Sequence, residues 1–235
     1  MNINQQAPES RSKENDMYLD VHSVFSTIQG EGPFCGQPAV FVRLAGCNLQ
    51  CPGCDTDYTV GRSLYHIVDI MRLIESRKLE SGNSTSLVVI TGGEPFRQQI
   101  NPFIEQLLSR GYLVQIETNG SMPLPKNFSQ LPVIVCSPKT SKIHPTVLYR
   151  ANAFKYVLKA CCVNVEDGLP LQALDHQATP FIARPPKGFK GKIYLQPMDE
   201  QDEDLNHSNI QAVVQSCMKH GYTLQLQVHK YIGVE

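Results

Sequence analysis

The sequence has almost no net charge, no long apolar run and no apolar leader. Its 235 residues include 21 Lys and Arg side chains and 22 Asp and Glu side chains, which give a formal charge of -1. Proteins that bind nucleic-acid backbones or anionic membranes usually carry a basic excess, so this balance argues against both classes. Because we find neither a signal peptide nor a membrane-spanning run, we expect a cytoplasmic protein.

The sequence also lacks a fourth cysteine where three are already clustered. Cys47, Cys51 and Cys54 lie within GCNLQCPGCDT (46–56). A closed structural zinc site uses four protein ligands, whereas an open centre keeps one position for another molecule. Three thiolates in one tight loop suit a [4Fe–4S] cluster whose fourth iron stays exposed. Zinc completed by a distant ligand is the alternative.

The other five cysteines are scattered along the chain. Without a secretory signal, cysteines indicate metal or redox chemistry before disulfides. Isolated buried cysteine is also a common small apolar filler, so we assign these five no direct role. They are Cys35, Cys136, Cys161, Cys162 and Cys217.

Short apolar runs alternate with stretches of helical spacing, which predicts a parallel α/β sheet in a single domain. Predicted strands are 39–45, 87–91, 112–117, 132–136, 153–158, 191–196 and 222–228. Predicted helices are 64–79, 98–110 and 203–220, with a weaker one at 166–176. Residues 1–17 are polar and without periodicity, which predicts a disordered tail before one domain at 18–235. Loop-rich interruptions are expected at 126–130 and 184–191.

Polar residues follow four of the predicted strands at the point where each strand ends. They are TGGEP (91–95), ETNG (117–120), SPK (137–139) and QPMD (196–199). In a parallel α/β barrel the active site is built at the carboxyl ends of the strands. We therefore expect these four segments and the cysteine loop to converge on one cavity.

The C-x₃-C-x₂-C spacing of the cysteine loop is similar to that of the radical S-adenosylmethionine (SAM) enzymes. With its neighbours, the loop resembles the 7-carboxy-7-deazaguanine synthases, radical SAM enzymes of the deazapurine (queuosine) pathway. The resemblance extends from about residue 18 to the C-terminus and implies a partial, incomplete TIM-like α/β barrel. It rests on FSTIQGEG (25–32), FVRLAGCNLQCPGCDT (41–56), TGGEP (91–95), ETNG (117–120), CSPK (136–139), QPMD (196–199) and QVHKYI (227–232).

The resemblance implies a carbon–nitrogen lyase that converts 6-carboxy-5,6,7,8-tetrahydropterin into 7-carboxy-7-deazaguanine with loss of ammonia. It also implies SAM, a reduced [4Fe–4S] cluster and Mg²⁺ as cofactors. The radical would come from the cofactors, so no catalytic side chain is assigned. Implied partners are the small pterin, a reductant such as a flavodoxin or ferredoxin, and a second copy of the chain in a homodimer. No nucleic-acid or membrane partner is expected.

The resemblance also implies which residues bind SAM. A glycine pair lets the backbone approach a ligand closely because it has no Cβ atom. A solvated surface lysine is the alternative role of Lys139. The implied SAM residues are Gly93, Ser137, Pro138, Lys139, Gln196, Pro197, Met198 and Asp199.

The implied substrate is a flat heterocycle that carries a carboxylate. Arg43 lies on an apolar strand, where its planar fork suits that carboxylate; an internal ion pair is the alternative. Thr56 resembles the Mg²⁺ ligand of the family and would otherwise be a turn residue. The remaining implied substrate residues are Ile28, Gln29, Gly30, Thr91, Glu117, His229 and Glu235.

Two other functions fit part of the sequence. An enzyme that installs a glycyl radical on a large partner would share the cysteine loop and the GGEP turn, but it leaves FSTIQGEG and Arg43 unexplained. A zinc-stabilised binding module without catalysis would share only the cysteines. Purified iron–sulfur protein is brown, whereas zinc protein is colourless.

Overall fold

The computed structural model describes residues 3–125, 131–176 and 180–234. Within them, nine strands form one sheet in the order β3-β1-β2-β4-β5-β6-β7-β8-β9. The strands are β1 (Tyr18–Ile28), β2 (Pro38–Leu44), β3 (Ser63–His66), β4 (Leu87–Gly92), β5 (Leu113–Thr118), β6 (Val133–Cys136), β7 (Ala153–Leu158), β8 (Lys192–Pro197) and β9 (Thr223–Leu224). The helices are α1 (Ile67–Ser81), α2 (Asn101–Ser109), α3 (Pro145–Leu148), α4 (Glu203–His220) and α5 (Val228–Ile232).

The sheet is parallel from β2 to β9, and β1 pairs antiparallel with both β2 and β3. Its outer strands in the described residues are β3 and β9, so the barrel is not closed. Parallel strands that are covered on both faces appear as continuous apolar runs, which is how most of these strands were recognisable. The predicted partial α/β barrel is confirmed.

The helices pack apolar stripes against the sheet. In α1 the buried residues are Ile67, Ile70, Met71 and Ile74, which lie on one face at spacings of three and four residues. The helix ends at Gly82, whose φ of 64° places it in the left-handed region. These stripes and the buried residues of β2, β4 and β5 belong to one main hydrophobic core.

Three predicted element boundaries are wrong. The helix predicted at 98–110 begins at Asn101, because residues 98–100 are not helical. The helix predicted at 64–79 begins at Ile67, because residues 63–66 form β3 and pair with β1. The strand predicted at 222–228 ends at Leu224, and Val228–Ile232 form α5 instead. Alternating residues favoured a strand in that region, but Gly233 (φ 68°) allows a short helix to end there.

The helix predicted at 166–176 is also wrong. This stretch contains turns and isolated bridges between Val163 and Pro170 and between Ala173 and His176. Gly168 (φ 69°) and Pro170 interrupt a helix, because glycine adopts the left-handed region and proline has no N–H to donate. The predicted loop at 184–191 has no helix or strand, and 126–130 lies outside the described residues.

The segment predicted as a disordered tail is described from residue 3 onwards. Residues 3–17 form neither helix nor strand, and they lie against the cysteine loop. Asn4 is 9 % exposed. Polar groups of this segment bond to backbone groups of the loop, which a hydrophobic pattern does not reveal. The division into a tail at 1–17 and one domain at 18–235 stays a prediction.

No helix in the described parts of the chain combines the length and the hydropathy that crossing a membrane requires.

Candidate active site

A cavity of about 640 Å³ opens at the carboxyl ends of the parallel strands. This size is typical of a site for a small molecule. A smaller cavity of about 170 Å³ adjoins it and shares several lining residues with it. Of the predicted substrate residues, those that line the larger cavity are Ile28, Gln29, Gly30, Arg43, Thr91, Glu117 and His229. Glu235 lies outside the described residues.

The predicted SAM residues surround the same two cavities with one exception. Ser137 and Lys139 line both cavities, Gly93 lines the smaller one, and Gln196 to Asp199 line the larger one. Pro138 is buried and lines neither cavity. The structure therefore brings the predicted residues together, while their roles stay predictions.

The three clustered cysteines line the smaller cavity. Burial raises the pKa of the Cys47 thiol to about 12 and that of Cys51 to about 11, and it raises the pKa of Cys54 as well. Metal binding to such thiols releases their protons. No group of three or more His, Cys, Asp or Glu among the described residues is placed to hold one metal ion. Three cysteines that line one cavity fit an iron–sulfur cluster, which is bound by cysteine thiolates.

The GGEP turn presses directly on the start of the cysteine loop. A Cβ atom on Gly93 would lie 2.1 Å from the carbonyl oxygen of Gly46, so only glycine fits there. The next amide, Glu94 N, donates to the same oxygen at 3.0 Å. The position of the turn relative to the loop is therefore fixed.

The side chain of Glu94 ties this turn to the end of β5. Its buried carboxylate accepts hydrogen bonds from Thr118 Oγ1 (2.7 Å), Asn119 N (2.8 Å) and Phe96 N (3.0 Å). Burial raises the pKa of Glu94, and the three donors oppose that rise. Asn119 Nδ2 in turn donates to Asn48 Oδ1 in the cysteine loop at 3.1 Å.

A charged triad lies in the wall of the larger cavity. Lys155 on β7 forms an ion pair with Glu31, and its Nζ lies 3.8 Å from Glu117 Oε2. Gln29 Nε2 (3.1 Å) and Gln115 Nε2 (3.0 Å) both donate to Glu117 Oε1. These contacts fix the plane of the Glu117 carboxylate at the cavity surface.

The triad lowers the pKa of one carboxylate and raises that of the lysine. Burial alone would lower the pKa of Lys155, but Glu117 and Glu31 raise it well above its ordinary value. Burial alone would raise the pKa of Glu31, but Lys155 lowers it. Both members of the ion pair are therefore charged at neutral pH.

Arg43 reaches the cavity from β2. Its guanidinium lies 5.2 Å from the ring centre of Phe25, and its backbone is in register with Thr91 on β4. Stacking on an aromatic face fixes the plane of a guanidinium and favours flat, two-point recognition. The two predicted substrate residues thus stand side by side on adjacent strands.

Neither Lys139 nor Gln196 is a solvated surface residue. Lys139 Nζ donates to the carbonyl of Ser137 at 2.8 Å and to its hydroxyl at 2.5 Å, which differs from a solvated lysine. Burial lowers the pKa of Lys139. Gln196 Oε1 is buried and has no hydrogen-bond partner within the described ranges. A buried acceptor of this kind suits a ligand that donates to it.

The helix α5 brings His229 against the loop that follows β1. A Cβ atom on Gly30 would lie 2.2 Å from His229 Nδ1, so any other residue there would displace the histidine ring. Lys230 holds the helix to Asp199 at 2.8 Å and lowers the pKa of that carboxyl to about 2. Asp199 therefore serves the placement of α5.

Thr56 is half-buried at the junction of the two cavities. Its hydroxyl donates to Asp55 Oδ1 at 3.3 Å. Two oxygen atoms of the kind that Mg²⁺ accepts are thus adjacent at the cavity edge.

Sequence reasoning missed Lys155, Glu31 and Glu94. Lys155 interrupts the apolar strand AFKYVL, which is the same signal that singled out Arg43 in FVRLAG. Glu31 and Glu94 belong to FSTIQGEG and TGGEP, motifs in which other residues were assigned roles and the glutamates were not. Each glutamate directly follows a glycine of its motif, and this position could have marked it as a site residue.

Comparison with known proteins decides the family. Residues 28–120 match the model of a "4Fe-4S single cluster domain". A 7-carboxy-7-deazaguanine synthase of Rhodospirillum rubrum is 40 % identical over 92 % of both chains. Those of Rickettsia prowazekii (37 %, 92 % of this chain and 89 % of the relative) and Aquifex aeolicus (34 %, 94 % and 96 %) carry the same name.

The chain belongs to the 7-carboxy-7-deazaguanine synthase family. The predicted radical SAM family and its iron–sulfur cluster are thereby confirmed, and the zinc module and the glycyl-radical activating enzyme are set aside. The crystal structure of QueE from Escherichia coli shares the fold, with a TM-score of 0.67, 24 % identity, and coverage of 92 % of this chain and 99 % of that chain.

The charged triad of this synthase predicts a stability defect that depends on pH. Lys155→Met leaves Glu31 beside Glu117 without a cation, and breaking a buried pair costs about 3–5 kcal/mol. The wild-type pKa of Glu31 lies below its ordinary value of 4.5, so its contribution is present above that pH and is lost below it. In the variant Glu31 takes up a proton more readily. The deficit should be largest near about pH 8 and shrink towards about pH 5.

Urea unfolding of the metal-free protein measures this deficit. Lys192→Met, on the exposed start of the neighbouring strand β8, is the matched control and should cost little at any pH. A Lys155→Met deficit that stays constant across the range would contradict a charge effect.

Proposed function

We propose that the chain converts 6-carboxy-5,6,7,8-tetrahydropterin into 7-carboxy-7-deazaguanine and ammonia, using SAM, a [4Fe–4S] cluster and Mg²⁺. The observation that carries this proposal is that one pair of adjoining cavities brings Arg43 and Glu117 together with the three-cysteine loop. A cation for a carboxylate and an acceptor for an amino edge thus lie beside a radical-generating centre.

The residues fit the two cofactors. Cys47, Cys51 and Cys54 would hold three irons, since iron–sulfur clusters are bound by thiolates. Gly93 offers backbone that a ligand can approach closely, and Gln196 offers a buried acceptor that no described group satisfies. When bound, the cofactors supply one-electron chemistry that removes hydrogen from the substrate. The chain supplies binding, orientation and exclusion of water.

The substrate would lie between Arg43 and Glu117. The planar guanidinium of Arg43 accommodates the substrate carboxylate through two parallel hydrogen bonds. Glu117, fixed by Gln29 and Gln115, accepts from the amino-pyrimidine edge. Thr91 pairs with Arg43 in the register of the adjacent strand and lines the same cavity. His229 closes the cavity from α5.

Mg²⁺ would bind at Thr56. The ion prefers oxygen ligands in octahedral geometry and keeps several waters, so one hydroxyl and a substrate carboxylate suffice as its other ligands. A reductant such as flavodoxin or ferredoxin, a homodimer and a cytoplasmic location complete the proposal by resemblance to the family.

Anaerobic incubation with SAM, a reductant and the carboxypterin tests the function directly. We expect brown protein that forms 7-carboxy-7-deazaguanine and ammonia in equal amounts. Replacing Cys47, Cys51 or Cys54 with Ala should abolish the cluster and SAM cleavage, because each thiolate holds its own iron. Cys217→Ala, which lies in α4 away from the cavities, is the control. A colourless triple variant that still makes 5′-deoxyadenosine would disprove the assignment.

Arg43→Lys should weaken substrate binding although it keeps the charge. Lysine loses the two-point fork, and hydrogen bonds to charged groups contribute about 1.5–3 kcal/mol. We expect the substrate Kd to rise about 10- to 150-fold, which is the factor that this free energy corresponds to, while iron content stays full. Arg72→Lys, on the exposed face of α1, controls for the substitution itself. Unchanged substrate affinity would show that Arg43 serves the structure alone.

Thr56→Ala should bind SAM normally and lose most of its response to Mg²⁺. Thr56→Ser keeps the oxygen and should retain much of that response. The rival role is closure of the cysteine loop through a local hydrogen bond. Iron per chain and Mg²⁺-dependent turnover, measured on the same preparation, separate the two. Full iron with an undiminished Mg²⁺ response removes Thr56 from the metal site, whereas reduced iron assigns it to the loop.

A further inference from the structure

The cysteine loop is held from outside by residues 4–12, which we call the N-terminal strap. Asn4 N donates to the carbonyl of Pro52 at 2.9 Å, and Asn4 Nδ2 donates to that of Cys51 at 3.2 Å. Glu9 N donates to the carbonyl of Cys47 at 2.7 Å. Two of the three clustered cysteines therefore have their backbone oxygens bonded to the strap.

The strap also fixes the end of the loop. Gln6 Nε2 donates to the carbonyl of Thr56 at 2.8 Å, and Gln6 Oε1 accepts from Tyr58 N at 2.9 Å. Asn4 Oδ1 accepts from the backbone amide of Gln6 at 2.9 Å and from Gln6 Nε2 at 3.1 Å, so the two side chains support each other. One glutamine thus pairs with both a donor and an acceptor of the loop backbone.

Ion pairs anchor the strap to the rest of the site. The Glu9 carboxylate lies 2.6 Å from Arg62 and 3.3 Å from Arg97. Arg97, which is 5 % exposed, also donates to the carbonyls of Ser10 (3.1 Å) and Ala45 (2.9 Å). Because Arg97 follows the GGEP turn, the strap, the turn and the start of the loop are joined through one guanidinium.

The loop needs such support because it has little regular structure of its own. Residues 45–58 form neither helix nor strand. Cys54 N donates to the carbonyl of Cys51 inside the loop, and Gly53 N donates outward to the carbonyl of Leu174. A loop without a helical or sheet ladder opens readily unless side chains or neighbouring backbone satisfy its polar groups.

We propose that Asn4, Gln6 and Glu9 are positioning residues for the iron–sulfur cluster. The strap is the outer wall of the cluster site, and it keeps Cys47, Cys51 and Cys54 in the arrangement that holds three irons. It slows the opening of the loop by which iron is lost. This role rests on the cluster and is independent of which pterin the enzyme converts.

Loss of iron to a chelator tests the role without measuring turnover. The full chain is reconstituted anaerobically, and the decay of its visible cluster absorption is followed after addition of excess EDTA. Gln6→Ala should lose iron about fivefold faster, the factor that corresponds to one hydrogen bond of ordinary net strength. The neighbouring Gln5→Ala is the matched control, because Gln5 is exposed and its side chain bonds only to Ile3 within its own segment among the described residues.

Asn4→Asp tests whether the strap acts through its hydrogen bonds or only by shielding the loop from solvent. The aspartate keeps the shape of asparagine but replaces the donor to the Cys51 carbonyl with an acceptor. Loss of iron as fast as in Asn4→Ala supports the strap as a hydrogen-bonding wall, and a wild-type rate overturns it. Equal rates for Gln6→Ala and Gln5→Ala overturn it as well.

Two further measurements exclude a general structural defect. Urea unfolding of the metal-free Gln6→Ala protein should show a loss of no more than about 1 kcal/mol relative to Gln5→Ala, which is the fivefold factor converted to free energy. The electron paramagnetic resonance spectrum of the reduced cluster should change only in Gln6→Ala. Faster iron loss with an unchanged spectrum and a larger loss of global stability would overturn the proposal. A wild-type protein that binds no iron on reconstitution would also overturn the strap proposal. An iron-loaded protein that does not convert the pterin would contradict the proposed substrate but not the role of the strap.

Discussion

The contact on which the rest of the site depends is the close approach of the GGEP turn to the cysteine loop. At Gly93 there is no room for a Cβ atom beside the Gly46 carbonyl, and Glu94 N bonds to that same oxygen. The Glu94 carboxylate then accepts from Thr118 and from the amide of Asn119 at the end of β5. A buried carboxylate is costly unless donors satisfy it, so this arrangement tolerates only one relative position of the two strand ends and the loop.

The sheet is apolar on both faces, so a charged side chain on one of its strands needs a partner. Lys155 and Glu31 meet this need by pairing with each other, and Glu117 is fixed by Gln29 and Gln115. The wall is therefore rigid before any ligand enters. Pre-organised groups do not have to be ordered at the moment of binding, which leaves more of the contact energy for affinity and orientation.

The sequence predicted the parallel strands, β2 and β4 to β9, because strands covered on both faces appear as continuous apolar runs. It missed β1, whose polar and apolar residues alternate irregularly and whose pairing with β2 shifts between Val21 and Ser23. The same reasoning placed most of the cavity lining correctly, since the carboxyl ends of parallel strands meet at one edge. The argument made for Arg43, a charge on an apolar strand, also applies to Lys155. Its acidic partners Glu31 and Glu117 could not be predicted, because they lie on segments distant in the sequence.

The N-terminal strap shows where pattern analysis stops for a physical reason. A polar segment without periodicity has no apolar surface to bury, and from its own composition it should remain disordered. Order comes instead from the partner: the cysteine loop presents the backbone carbonyls of Cys47, Cys51 and Thr56, and Asn4, Gln6 and Glu9 supply donors to them. Neither segment would be rigid alone, because each lacks a ladder of its own. Their joint order follows from satisfying polar groups and is invisible to any analysis that reads one segment at a time.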